Sequence, residues 1–70
     1  MDSFHVIPHL RKKGCWSIVK SGAKRALRVH RSKLKAINMG VKLGKMHSIN
    51  VYLHRRDGTV SKNLYKVEEE

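Results

Sequence analysis

The order and spacing of apolar residues predict an α+β fold, a single small domain with the element order β-β-β-α-β-β. Short segments near both ends of the chain alternate apolar and polar residues, as half-buried strands do. A helical period occurs only from residue 33 to about residue 46, and 70 residues leave room for one domain. We therefore expect one helix packed on one face of a mainly antiparallel sheet, with the other face left open.

The segment before the helix contains three predicted strands. Residues 4–7 form the first, which stops at Pro8 because proline lacks the backbone donor of a central ladder. Residues 15–20 form the second, and residues 26–30 form a weaker third.

The predicted helix begins after Ser32, whose hydroxyl is suited to accept a hydrogen bond from the first turn. Gly40 and Gly44 fall on its apolar side, and each costs about 1 kcal/mol relative to alanine in an exposed helix. We interpret them as positions where the helix lies very close to the sheet. A membrane-dimer interpretation fits less well, because the segment is short and rich in lysine.

Two further strands are predicted after the helix. Residues 49–54 alternate with their odd positions inward, and residues 59–65 return after a turn at Asp57-Gly58, with Val60 and Leu64 inward. The predicted domain spans residues 1–70, with an ordered core over about 4–65 and a frayed acidic tail over 66–70.

Charge is the most unusual feature of the composition. The formal net charge is +11, and Asp57 is the only acidic residue between Ser3 and Val67. Such a surface attracts polyanions over a distance. Acidic residues usually favour solubility more than basic ones do, so a role in solubility alone is the less favoured interpretation.

Cysteine usage and hydropathy predict a cytoplasmic protein that does not enter the membrane. Cys15 is the single cysteine and has no internal disulfide partner. The first residues lack the pattern of a signal peptide, and no apolar run approaches the roughly 20 residues of a membrane span.

Five sequence blocks in order resemble the domain-of-unknown-function family 2188, a family of small bacterial and phage proteins. The resemblance covers about residues 4–65 and rests on these blocks: His5-Val6-Ile7-Pro8, Gly14-Cys15-Trp16-Ser17-Ile18, Gly22-Ala23-Lys24-Arg25-Ala26, Ser32-Lys33-Leu34-Lys35-Ala36-Ile37 and His54-Arg55-Arg56-Asp57-Gly58-Thr59-Val60. The family has no assigned activity, so the resemblance implies the fold and a soluble character and no function. Gly40 and Gly44 replace the family's usual alanine, and the Arg11-Lys12-Lys13 loop is more basic than the family pattern.

The sequence favours no enzyme, no metal and no cofactor. Asp57 is the only acid in the predicted core, which excludes a pair of catalytic carboxylates. Cys15 beside Trp16 is typical of packing. His5 and His9 would lie about 13 Å apart in a strand, too far to share zinc. No glycine-rich phosphate loop occurs.

Nucleic-acid binding, to DNA or RNA, is the predicted function, through phosphate contacts and the open face of the sheet. We expect that face to carry His5, Tyr52 and His54, which could stack on bases. Arg55 and Arg56, beside the hairpin tip, are the favoured insertion point. The candidate binding residues are Arg11, Lys12, Lys13, Lys20, Lys24, Arg25, Arg28, Arg31, Tyr52, His54, Arg55, Arg56 and Lys62. The cations fall into three groups along the sequence, which are residues 11–13, the five cations from Lys20 to Arg31, and Arg55, Arg56 and Lys62.

A protein-interaction or inhibitor module, of the kind phages use as accessory proteins, is the alternative prediction. Its open face would pair with a second copy in a homodimer or dock on an acidic protein partner.

Overall fold

In a computed structural model, which describes residues 2–9 and 11–68, the elements follow the predicted order. Every strand and the helix lie within two residues of their predicted bounds. They are β1 (Ser3–Pro8), β2 (Trp16–Lys20), β3 (Arg28–His30), α1 (Lys33–His47), β4 (Asn50–His54) and β5 (Val60–Tyr65). The predicted α+β fold is confirmed.

The five strands form one sheet in the order β3-β2-β1-β4-β5. Strand β1 lies at its centre, antiparallel to β2 and parallel to β4. The remaining neighbours, β2 with β3 and β4 with β5, are antiparallel. The parallel pair needs a long crossover, and β2, β3 and α1 together supply it.

The core lies between the sheet and α1. Val6, Ile18 and Val51 are fully buried side chains from the three central strands. Phe4, Leu53 and Ala36 complete the buried cluster. The predicted alternation of β4 is thus confirmed, because Val51 and Leu53 point towards the helix.

The two helix glycines lie against the sheet, as predicted. A Cβ atom at Gly40 would come within 2.9 Å of Val6 Cγ2, and one at Gly44 would meet Val51 and, at 2.8 Å, the carbonyl oxygen of Ile49. Ser32 caps the helix by accepting from the amide of Lys35 at 3.4 Å. Among the described residues, no helix combines the length and apolar character needed to cross a membrane.

The prediction that Val60 points inward is wrong, because two irregularities shift the pairing of β5 with β4. Val51 pairs with Tyr65 and Tyr52 with Asn63, so Leu64 is an extra residue; a second shift between Leu53 and His54 leaves Val60 opposite His54. Val60 is therefore on the face away from α1 and is 50% exposed. Leu64 does pack against the core, as predicted.

The chain remains attached to the sheet just beyond β5. The amide of Val67 donates to Asn50 Oδ1 at 2.7 Å, so the first part of the predicted frayed tail is held in place. Glu69 and Glu70 lie outside the described residues.

Candidate nucleic-acid interface

Strand directions bring three basic segments to one end of the sheet. Strands β1, β3 and β4 run in one direction and β2 and β5 in the other. The ends of β1, β3 and β4 therefore lie beside the starts of β2 and β5. We call this the basic end, and define it by the cations that follow the three strands: Arg11, Lys12, Lys13, Arg31, Arg55 and Arg56.

The loop from β1 to β2 presents its cations through a tight backbone turn. The amide of His9 donates to the carbonyl of Cys15 at 2.8 Å. The amide of Cys15 donates to the carbonyl of Lys12 at 3.2 Å. Lys12, Lys13, Gly14 and Cys15 share a shallow depression with Arg31. Arg31 thus lies beside this loop, although it is distant in sequence.

The hairpin from β4 to β5 places two arginines beside that loop, since β4 is the parallel neighbour of β1. Gly58 has a φ of +91°, and its backbone amide donates to the carbonyl of Arg55 at 3.0 Å. The backbone amide of Arg55 donates to the carbonyl of Thr59 at 2.8 Å. The glycine requirement of this turn explains the Asp57-Gly58 signal in the sequence. Arg55 and Arg56 are exposed.

Asp57, the only carboxylate of this hairpin, accepts hydrogen bonds within the turn. Its Oδ1 accepts from the hydroxyl of Thr59 at 2.6 Å and from the amide of Thr59 at 2.9 Å. The hydroxyl bond first, and then the amide bond, lower the pKa of Asp57, so the group is ionised at neutral pH. It reduces the local positive charge by one without forming an ion pair with either arginine within the described residues.

Two further features leave the positive charge of the basic end without neutralising carboxylates. The salt bridge between Lys20 and Asp2, at 3.5 Å, is the one ion pair among residues 2–9 and 11–68, and it lies at the opposite end of the sheet. In addition, α1 begins at the basic end with Lys33 and Lys35 and no acid in its first turn. These two lysines were not among the predicted site residues. Their position in the sequence, just after β3 and Arg31, could have indicated that they lie at the same end of the sheet.

The other predicted cations lie elsewhere, and the structure divides their sequence groups. Lys24 and Arg25 lie in the loop from β2 to β3, at the end opposite the basic end, near Lys20. Arg31 was grouped with them in sequence, but β3 carries the chain away from that loop to the basic end. Arg28 and Lys62 belong to the outer strands β3 and β5.

The face of the sheet away from α1 is open, and we define the open face by residues that pair across neighbouring strands. They are Ser3, His5, Ile7, Ser17, Val19, Val29, Asn50, Tyr52, His54, Val60 and Asn63. The predicted placement of His5, Tyr52 and His54 on this face is confirmed. The rings of His5 and Tyr52 stack with centroids 5.7 Å apart.

His5 and His54 form a hydrogen-bonded chain on the open face. His54 Nδ1 lies 3.0 Å from the carbonyl oxygen of Gly58, so this nitrogen donates. In neutral His54 the Nε2 atom then accepts from His5 Nδ1 at 2.7 Å, and His5 Nε2 accepts from the Ser3 hydroxyl at 2.7 Å. Burial, and then His54, lower the pKa of His5. Periodicity placed both rings on one face, but their contact depends on the parallel pairing of β1 with β4.

Another polar contact of the open face joins His9 Nδ1 to Ser17 Oγ at 2.7 Å. Ser17 is only 2% exposed, so this bond satisfies a buried hydroxyl. Over residues 2–9 and 11–68, no group of three or more His, Cys, Asp or Glu side chains is arranged to hold a metal ion.

Comparison with known proteins finds one family. The profile of a family described as "Uncharacterized protein conserved in bacteria (DUF2188)" matches residues 4–63. No curated protein and no solved structure matches the chain.

Proposed function

The chain belongs to the uncharacterised bacterial family DUF2188, and we propose that it binds nucleic acid through phosphate contacts at the basic end. One observation carries the proposal. Three separate segments place Arg11, Lys12, Lys13, Arg31, Arg55 and Arg56 at one end of the sheet, where Asp57 is the only described carboxylate and is used by its own turn.

Phosphate is the group best suited to this end. Arginine presents a fork of donors that matches phosphate oxygens, and lysine supplies a long, mobile point charge. The side chains of the basic end are exposed, so they reach a ligand without moving the backbone. A cluster without neutralising partners also gains most from the release of counterions by the nucleic acid.

Tyr52 and His54 contribute less to this binding than the sequence suggests. Both nitrogens of His54 already have partners, in His5 and Gly58. Tyr52 is half-buried and stacks on His5. The proposal therefore assigns the phosphate contacts to the basic end and leaves the open face out.

The test is a titration of labelled duplex DNA, single-stranded DNA and RNA at several salt concentrations. If all six cations of the basic end contact phosphates, the logarithm of the binding constant falls with the logarithm of salt with a slope of about −5 on duplex DNA. Replacing Arg55 and Arg56 by alanine (R55A/R56A) should weaken binding and flatten that slope by about 2.

The matched control is K24A/R25A, which removes two exposed cations from the opposite end. We expect it to retain the wild-type slope. Equal losses in the two double variants would contradict a localised site. Binding to poly-glutamate with no binding to any nucleic acid in dilute buffer would instead indicate an acidic protein partner. A cytoplasmic location, where nucleic acids are accessible, is part of the same proposal.

A further inference from the structure

The open face carries no charged side chain. All eleven positions that define it are neutral residues, in a chain with 16 Lys and Arg and five Asp and Glu residues. The opposite face of the same strands includes Lys20, Arg28 and Lys62. The cations thus lie at the ends and edges of the sheet and on α1, outside the open face.

The open face also exposes apolar surface. Val29 and Val60, on the outer strands β3 and β5, are 49% and 50% exposed. Ile7, Val19 and Tyr52 lie between them and are half-buried. A sheet face that meets only water usually carries polar and charged residues, whereas depletion of charge marks the centre of a protein interface.

We propose that the open face binds the open face of a second copy, forming a sheet-on-sheet homodimer. Charge selects this partner. A nucleic acid or an acidic protein would find no cation on the open face, whereas two chains of net charge +11 repel each other through every cationic surface. The open face is where two copies meet without apposing like charges.

The same repulsion sets the arrangement of the dimer. A two-fold axis that lies between the sheets and runs across the strands reverses the strand direction of the second copy. It places the two basic ends at opposite ends of the dimer. An axis along the strands would place them side by side, which like-charge repulsion disfavours.

The size of the face makes this a weak dimer. Five strands spaced about 4.8 Å apart, with a mean length of about 15 Å, cover about 300–400 Å² per partner. A stable interface buries about 800 Å² per partner. Association is therefore expected at high protein concentration and not at micromolar concentration.

Sedimentation equilibrium at low and high salt tests the proposal without any variant. Salt shortens the screening length from about 30 Å at 0.01 M to about 3 Å at 1 M, so dimerisation should strengthen as salt rises. Nucleic-acid binding at the basic end must weaken under the same change. A chain that stays monomeric at millimolar concentration in high salt would overturn the dimer and leave the proposed function standing.

Lysines on the open face provide the second test. The variant V29K/V60K should lower the association constant at least about tenfold, because apposed like charges cost several kcal/mol. The matched control is L34K/M46K, which adds two lysines at exposed helix positions and should dimerise nearly as well as wild type. R55A/R56A should bind nucleic acid more weakly and still dimerise. Equal weakening in V29K/V60K and L34K/M46K would show that charge alone, and not the open face, controls association.

Discussion

At the scale of single residues, the His5–His54 pair has a limited capacity for protons. The chain from Ser3 through His5 and His54 to the Gly58 carbonyl is complete when both rings are neutral. One added proton on His5 is tolerated, because the protonated ring still donates from Nδ1 to His54 and can donate from Nε2 to the Ser3 hydroxyl. A second proton would turn two N–H groups towards each other at 2.7 Å, and the bond would break.

We therefore predict that the chain loses stability as the pH falls from about 7 to about 5. The pKa of His5 is lower in the folded chain than its ordinary value, so the unfolded chain takes up the proton first. The stabilisation is fully present above about pH 6.5, the ordinary histidine value, and is lost as the pH falls through the folded pKa. Urea unfolding across this range measures it. The variant H5Q should give a flatter profile; a profile as steep as wild type would remove His5 from the effect.

At the scale of elements, the contact of α1 with the sheet depends on the absence of two side chains. Gly44 and Gly40 face Val51 and Val6, two of the fully buried residues. In an exposed helix each glycine would destabilise the chain relative to alanine. Here the steric requirement outweighs the helix propensity, because the sheet occupies the space that a Cβ atom would need.

The variant G44A should lower the free energy of unfolding by about 1–3 kcal/mol, the usual cost of overpacking. Its Cβ would meet the Ile49 carbonyl oxygen at 2.8 Å, a backbone atom that cannot rotate away. In G40A the new atom meets a valine methyl at 2.9 Å, so a smaller loss is expected. Denaturant unfolding of both variants measures the difference, and a G44A chain as stable as wild type would refute the close approach.

Periodicity predicted the elements well because each one has its own repeat in the sequence. It failed at Val60 because the residues that break the register, Ser61 and Leu64, carry no glycine or proline signal. The short strand β3 was also predicted too long, since Ala26 and Leu27 belong to the preceding loop. Bulges and edge strands depend on the partner strand, which a local pattern does not contain.

At the scale of the whole molecule, the candidate site follows from strand order. The basic residues were all visible in the sequence, but their grouping was not. Arg31 joins Lys12 and Lys13 because β3 pairs with β2. Arg55 lies beside that loop because β4 pairs with β1. Periodicity within a strand contains no information about its neighbours, so this assembly was beyond sequence reasoning.

The central position of β1 has a consequence for synthesis on the ribosome. Strand β1 is made before its partner β4, which begins only at Asn50, so one edge of β1 stays unpaired until β4 has been made. A fragment of residues 1–48 also lacks Val51 and Leu53 from the buried core. We predict that this fragment shows no cooperative unfolding by circular dichroism and that a peptide of residues 49–70 restores it. A 1–48 fragment that unfolds cooperatively on its own would contradict this. The expected result would mean that residues 1–48 fold only once residues 49–70 are present.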